Sequence, residues 1–375
     1  MNLGRNEKCW CGSEKKYKRC HLGRDAEEPL TPQELLGSLK NTYGKGYCLH
    51  PEASAETCRG KIVKAHTIQR NGGLSAIASN GHVYSCLLHD QSLSRPLRPE
   101  NNPNRIGIGQ ASTFTGFCSY HDDLLFAPIE KDPFAGSAQQ VALLGYRAIS
   151  RELFMKNADI ALTAIKREMD RGFPPRSQQA HQIHVSLHQS GVAKAIEELE
   201  RLKCRHDEML LNGDFSNIGY FIVHFEDTPD VLCSAIHQTT HDFRGNRVHA
   251  LGHLDSPAYW LHFSLIPTDE GGAAVFSWLR EHKSCEEFVN TLDELPDEEL
   301  PHAIVRFTFE FFENTYFAPE WWDKLDKSVQ LNLMERQIRE IPPTFDFPRP
   351  DDCLRDDGIR AVDWKIGSRL KHAVD

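Results

Sequence analysis
The chain has no run of about 18 apolar residues, and its first 30 residues are polar and charged. Neither a membrane span nor a secretory leader is therefore expected, which points to a cytoplasmic protein with no membrane partner. A glycine-rich phosphate loop closed by Lys-Ser/Thr is missing, as is a GxSxG nucleophile elbow. "IGIGQAS" has the glycines but not the strand-to-helix setting. Nucleotide hydrolysis and serine hydrolase chemistry are thereby disfavoured. There is no internal repeat and no low-complexity tract. Positive charge is also in short supply: 43 Lys and Arg stand against 53 Asp and Glu, a formal net charge of -10. A protein that coats nucleic acid with its whole surface would not carry that balance.

Cysteine is plentiful, with 11 in 375 residues. In a reducing compartment these are poor disulfide candidates, and clustered cysteines read better as metal ligands. Cys9, Cys11 and Cys20 lie at the front, Cys48, Cys58, Cys86 and Cys118 follow, and Cys204, Cys233, Cys285 and Cys353 are scattered. The scattered four are expected to be small buried apolar residues. Charge is uneven in the same way. Arg5 to Arg24 holds seven basic residues against two acids, so any phosphate contact is expected near the front.

The expected fold class is α+β, in five parts. Residues 1–25 form a cysteine-rich knuckle, and 26–45 a linker with a short helix capped by Thr31. Residues 46–130 are rich in turn signals such as "RNGG" and "SNGH", and should form a loop-rich unit that needs a metal staple. Residues 137–212 keep a helical apolar period broken by "GFPP", which predicts an antiparallel helical hairpin serving as a scaffold or as a homo-oligomerisation arm. Residues 213–375 begin with strand-like runs, "IGYFIVHF", "VLCSAIHQTT" and "AYWLHFSLIPT", and continue into helices. The seven aromatics of "FEFFENTYFAPEWWDKL" are interleaved with acids and not lysines, so core packing or an interface is expected rather than base stacking.

Cys9, Cys11, Cys20 and His21 offer three thiolates and an imidazole within one short stretch, the inventory of a closed structural zinc site. So small a head cannot bury enough apolar surface to fold alone, so metal binding and folding should be one event. A second set comprises Cys48, His50 and Cys58 early, and Cys118 and His121 of "FCSYH" later. A pair, a long insertion and a CxxH pair suit a treble-clef finger. Cys48, Cys58, Cys118 and His121 are the expected four, with His50 competing for a place. His237 and His241 stand four apart in a β-branched setting, where a strand or turn is expected rather than a metal site.

"CWCGSEKKYKRCH" resembles the SEC-C motif, a short zinc-binding element, with Glu14 where a glycine is usual. The resemblance implies a docking module for proteins or ribosome-like surfaces. "KIVKAHTIQRNGG" taken with "ASTFTGFCSYHDDLLFAPIE" resembles the HNH, or His-Me finger, nucleases. That resemblance implies that His66 activates water and that Asp122 holds a catalytic magnesium or manganese ion, cutting DNA or RNA, as in phage or mobile-element defence. Ala65 and Thr113 depart from that pattern, at places where many members carry a metal ligand and an asparagine. His82 is a further candidate ligand, although a satisfied strand or turn residue is the ordinary role of such a histidine. Two functional classes therefore stand side by side: a metal-dependent nuclease, and a non-catalytic zinc adaptor that docks onto a protein or ribonucleoprotein partner.

Overall fold
The computed structural model describes residues 3–86, 103–249, 258–339 and 351–372. The chain divides into two compact units, one of residues 1–46 and 153–201, the other of residues 47–152 and 202–375. No helix among the described residues is long and apolar enough to cross a membrane.

In the first unit the knuckle leads to α1 (Pro32–Tyr43). Thr31 and Glu34 form a reciprocal capping box with Pro32 in the first turn, which satisfies two otherwise orphaned amides. Most of the rest of this unit is helical. Three helices supply it in part or whole, numbered after α2 (Ser75–Ile77), α3 (Ser119–Leu125) and α4 (Ala127–Glu130): α5 (Ala138–Ala161), α6 (Thr163–Glu168) and α7 (Pro175–Asn212). The break falls at the expected "GFPP", where proline starts α7 in the position that lacks no hydrogen bond. Arg167 on α6 ties this turn to α7, donating to Gln182 at 3.0 Å and Gln189 at 3.1 Å.

The second unit holds two antiparallel sheets. One pairs β1 (Ile62–His66) with β4 (Thr113–Cys118), in register Ile62 with Cys118 and His66 with Thr113. The other has eight strands: β2 (His82–Ser85), β3 (Asn104–Gly107), β5 (Ile218–Phe225), β6 (Val231–His237), β7 (Leu261–Thr268), β8 (Gly271–Leu279), β9 (Thr315–Phe317) and β10 (Ile366–His372). Their order across the sheet is β10-β5-β8-β7-β6-β9-β2-β3. The three strand-like runs thus become β5, β6 and β7. β8 is buried along its whole length, as a central strand covered on both faces must be.

The expected division into 46–130 and 213–375 differs from this arrangement. β2 and β3, from the long insertion between β1 and β4, extend the sheet built by the later residues. Tyr316 on β9 accepts from the Ser112 amide at 2.7 Å, and Ser112 donates to Asn314 at 3.1 Å. A loop-rich insertion gains its core by joining a larger sheet, which a metal staple alone could not supply.

Helices α8 (Lys283–Asp293), α9 (Leu300–Phe311), α10 (Pro319–Lys324) and α11 (Lys327–Arg339) complete the unit. Phe307 of α9 lies among Phe263, Phe276 and Phe288 in the main core. Six of the seven aromatics between 309 and 325 are buried, in line with core packing. Arg336 donates to the buried Glu310 at 2.6 Å and to Asp357 at 2.7 Å, so the charges of this core are paired. Of the four scattered cysteines, Cys233, Cys285 and Cys353 are buried, but Cys204 is exposed. It shares the solvent side of α7 with Arg201 and Arg205.

His206 of α7 and His262 of β7 meet edge to face, with ring centroids 4.9 Å apart. Gly145 makes room for His262, since a Cβ there would lie 2.8 Å from the ring. Burial holds both imidazoles neutral, lowering His206 to about 4 and His262 well below its ordinary value. The unfolded chain binds these protons near pH 6.5 and the folded one does not, so stability is complete above that pH and drains away as pH falls toward 4. His206 should contribute a loss of about 1.4 kcal/mol between pH 7.5 and 5.5, and His262 adds to it in the same direction. Urea unfolding of the zinc-loaded chain at the two pH values, repeated with His206→Gln, is expected to show a smaller acid loss in the variant.

Candidate metal centres
The first centre lies in the knuckle. The Cys9 amide donates to the Lys15 carbonyl at 2.8 Å, folding a tight loop that returns Cys20 and His21 to Cys9 and Cys11. Gly12, at φ 74°, takes the left-handed conformation inside that loop. One ligand atom from each of Cys9, Cys11, Cys20 and His21 lies within 4.8 Å of all the others. His21 Nδ1 is 3.2 Å from the sulfurs of both Cys9 and Cys20, and the Cys11 and Cys20 sulfurs are 3.4 Å apart. Tetrahedral zinc with ordinary bond lengths would give about 3.6 Å for a sulfur–nitrogen edge and about 3.8 Å for a sulfur–sulfur edge. The donor set is thus slightly contracted around a point of the right size. Burial pushes the Cys20 thiol up to about 12, so without a cation this cluster would hold a neutral thiol where a ligand must be thiolate.

The outer face of His21 is fixed by residues far away in sequence. Its Nε2 lies 3.1 Å from Asp170, which also accepts from Arg24 Nε at 2.6 Å and Gln182 Nε2 at 2.7 Å. Burial alone would raise the Asp170 carboxyl, but the hydrogen bonds from Gln182, Arg24 and His21 outweigh it and hold the group below its ordinary value. An imidazole whose Nε2–H is held by a carboxylate presents Nδ1 as the donor, the arrangement that orients metal-binding histidines. Asp170, Arg24 and Gln182 were not foreseen. Nothing in local spacing connects Asp170 with a histidine 149 residues earlier.

The second centre is built on β1, β4 and α3. The amides of Tyr47 and Leu49 donate to Thr115 and Gly116 of β4, which sets Cys48 beside that strand. Lys61 and Arg59 carbonyls accept from Ser119 and Tyr120 at the start of α3, which draws Cys58 to the same helix end. Gly60 is required between them: its φ is 79°, and a Cβ would lie 2.2 Å from Ser119 Oγ. Cys48, Cys58, Cys118 and His121 converge within 4.8 Å. The three sulfurs stand 3.3, 3.7 and 3.4 Å from His121 Nδ1. His50 does not join them; its ring stacks on His121 at 4.0 Å and 4°. Both clusters could hold a zinc ion.

His66 closes β1, and one ring nitrogen, Nε2, lies 3.1 Å from the Ile108 carbonyl, which accepts from it. Burial depresses its basicity, against the effect of that carbonyl. Asp122 follows the ligand His121, with Oδ1 buried and without a hydrogen-bond partner. Burial raises its carboxyl to about 6, opposed by Arg147 and reinforced by Glu130. Arg147 and Glu130 act electrostatically on His66 as well, and they pair with each other at 2.6 Å. Among the described residues, neither His66 nor Asp122 belongs to a group of three converging metal ligands. His82 joins no cluster either; its Nδ1 meets the Asn80 carbonyl at 2.8 Å. His237 packs on Phe311 with centroids 4.1 Å apart, while His241 pairs with Asp351 at 3.3 Å.

The SEC-C motif matches residues 5–23. The chain is also similar to methionine aminopeptidase of Chlamydia trachomatis serovar D, 27% identical over 135 residues. That similarity takes in 35% of this chain and 42% of the aminopeptidase, so less than half of the relative is spanned. No solved structure gives a significant match.

Purified protein should contain two zinc ions per chain by mass spectrometry of the native protein. Cys9→Ser and Cys118→Ser should each remove one, and a single ion in the parent chain would contradict the second centre. Asp170→Asn is expected to weaken the first ion's affinity by roughly 10- to 100-fold, leaving the second unchanged in competition with a chelator.

Proposed function
We propose that this chain is a zinc-stabilised adaptor whose N-terminal knuckle docks onto the RNA of a ribonucleoprotein partner. The observation that carries this reading is the surface of the knuckle. Arg5, Lys8, Lys15, Lys16, Lys18 and Arg19 are all exposed. Lys8 pairs with Glu14, but among the described residues no carboxylate pairs with Lys15, Lys16, Lys18 or Arg19. Three thiolates on one divalent zinc leave about one negative charge, which these cations exceed. With a net charge of -10 over the whole chain, phosphate recognition falls to this one face, and the remaining surface repels polyanions.

The second centre then serves as a staple. It fixes β1, β4 and α3, from which the long insertion departs to join the main sheet. Similarity to an aminopeptidase gives no catalytic site here: among the described residues, both convergent metal-ligand groups are rich in cysteine and lack carboxylates. Open catalytic zinc sites instead keep a position for water or substrate.

A second reading, an HNH-like nuclease, has a specific observation in its favour. β1, β4 and α3 follow in the order of a ββα finger, with His66 at the end of its first strand. Against it, neither His66 nor Asp122 belongs, among the described residues, to a group of three converging metal ligands. The adaptor is therefore the better supported.

Filter binding to a fluorescent RNA hairpin should weaken steeply with salt. Replacing Lys15, Lys16, Lys18 and Arg19 together by Glu should reduce affinity at least tenfold, with a salt slope smaller by about 0.7–0.9 for each phosphate no longer neutralised. Unchanged binding in that variant would overturn the adaptor reading. Under the same conditions with magnesium or manganese, the RNA and a matching DNA should stay intact; cleavage that disappears in His66→Ala would establish the nuclease instead.

A further inference from the structure
Strand β1 is paired on one side only: among the described residues its strand partner is β4 and no other. The Lys61 carbonyl accepts from the Ser119 amide at 2.9 Å, and the Thr67 amide donates to the Ser112 carbonyl at 2.8 Å. Residues 61 and 67 thus turn their backbone groups toward β4. Backbone direction alternates from residue to residue in an antiparallel strand, so Ile62, Lys64 and His66 turn their amides and carbonyls the other way. The irregularity in the pairing does not disturb this. Between Val63 and Ala65 a single β1 residue faces Thr115 and Gly116, so the extra residue belongs to β4 and the alternation along β1 is unbroken. Among the described residues, the outward amides and carbonyls of Ile62, Lys64 and His66 have no partner. Such a row is a template for another strand.

The side chains along this edge say what kind of strand it accepts. Residues 57–70 hold four basic residues, Arg59, Lys61, Lys64 and Arg70, and no acid, a local exception in a chain that is acidic as a whole. All four are exposed, and among the described residues no carboxylate pairs with any of them. Apolar surface lies beside the charge. Ile62 is 36% exposed, as is 39% of Tyr120 on α3, over whose ring the Arg59 guanidinium sits at 5.1 Å. A second copy of β1 would set lysines against lysines, which destabilises a cross-strand pair. Lysines on an open edge deter a like strand in this way, and the same charges attract an acidic one.

We propose that the free edge of β1 captures an extended acidic peptide segment of a partner protein as a third strand. The outward amides and carbonyls supply main-chain hydrogen bonds, while the basic residues and Ile62 select acidic and apolar side chains on the incoming segment. Nucleic acid would use the lysines but leave the backbone row unpaired. The proposal is independent of the adaptor reading, since the knuckle surface takes no part in it.

Fluorescence anisotropy of the full zinc-loaded chain with a labelled peptide of about six residues alternating Glu and Val tests it. A dissociation constant of about 100 µM or tighter is expected, and at least tenfold weaker binding when Lys replaces Glu in the peptide or when alternate peptide amides are N-methylated. Hydrogen exchange of residues 62–66 should slow when the peptide binds. Ile62→Pro removes one outward amide at the first residue of the strand, where proline is tolerated, and should weaken binding at least tenfold without changing charge. Lys61→Glu combined with Lys64→Glu should do the same through charge, and it carries the test if Ile62→Pro fails to fold. Absence of binding at about 1 mM, equal binding of the N-methylated peptide, or unaltered binding by the folded Lys61→Glu, Lys64→Glu variant would each overturn the proposal. Loss of RNA hairpin binding in that variant would assign the strand to nucleic acid and overturn it as well.

Discussion

Buried thiols that need a cation are the constraint from which the rest of this structure follows. In both clusters three cysteines and one histidine are drawn together by loops too short to bury a core of their own. Burial pushes Cys20 up to about 12 and Cys48 up to about 11, so without a cation at least one thiol in each cluster stays neutral at neutral pH, although hydrogen bonding outweighs burial and lowers Cys11 and Cys118. A divalent ion reverses that preference, and its binding energy becomes folding energy for the segments that supply the ligands.

The two centres use this energy differently. In the knuckle, the chain extends the site outward through His21, Asp170, Arg24 and Gln182, so that a motif of some 20 residues is locked to the turn between α6 and α7. The basic side chains stay on the surface. In the second unit, Cys48 and Cys58 are drawn to the end of β4 and the start of α3, and the long excursion between β1 and β4 is free to contribute β2 and β3 to the larger sheet. The same excursion begins at Thr67 and lines one side of a cavity within that unit. Metal binding, the extended sheet and the cavity are thus physically continuous within that unit.

Much of this could be read from local pattern. Thr31 with Glu34 announces α1, "GFPP" marks the start of α7, and the strand-favouring runs from Ile218 and Leu261 give strands. The ligand spacing of Cys118 and His121 is local as well. What escaped depends on contacts distant in sequence. β9 has only Thr315 to Phe317, three strand-favouring residues too few to mark a strand without their neighbours. β8 is apolar apart from Ser277, so period alone cannot separate it from a buried helix. Asp170 reads as an ordinary surface acid until the fold sets it against His21. His50 competed by residue type for a place in the second centre, and only the convergence of Cys48, Cys58, Cys118 and His121 in the fold sets it aside. Asp122 and His66 fit a nuclease by position along the chain, yet among the described residues neither joins a group of three converging metal ligands.

Zinc-edge X-ray absorption of the purified chain tests the central claim most directly. Two closed centres of three sulfurs and one nitrogen predict, on average, three sulfur neighbours at about 2.3 Å and one nitrogen at about 2.0 Å per zinc. A first shell dominated by oxygen and nitrogen, with fewer than two sulfurs per zinc, would contradict the account that buried thiolates on zinc organise this protein.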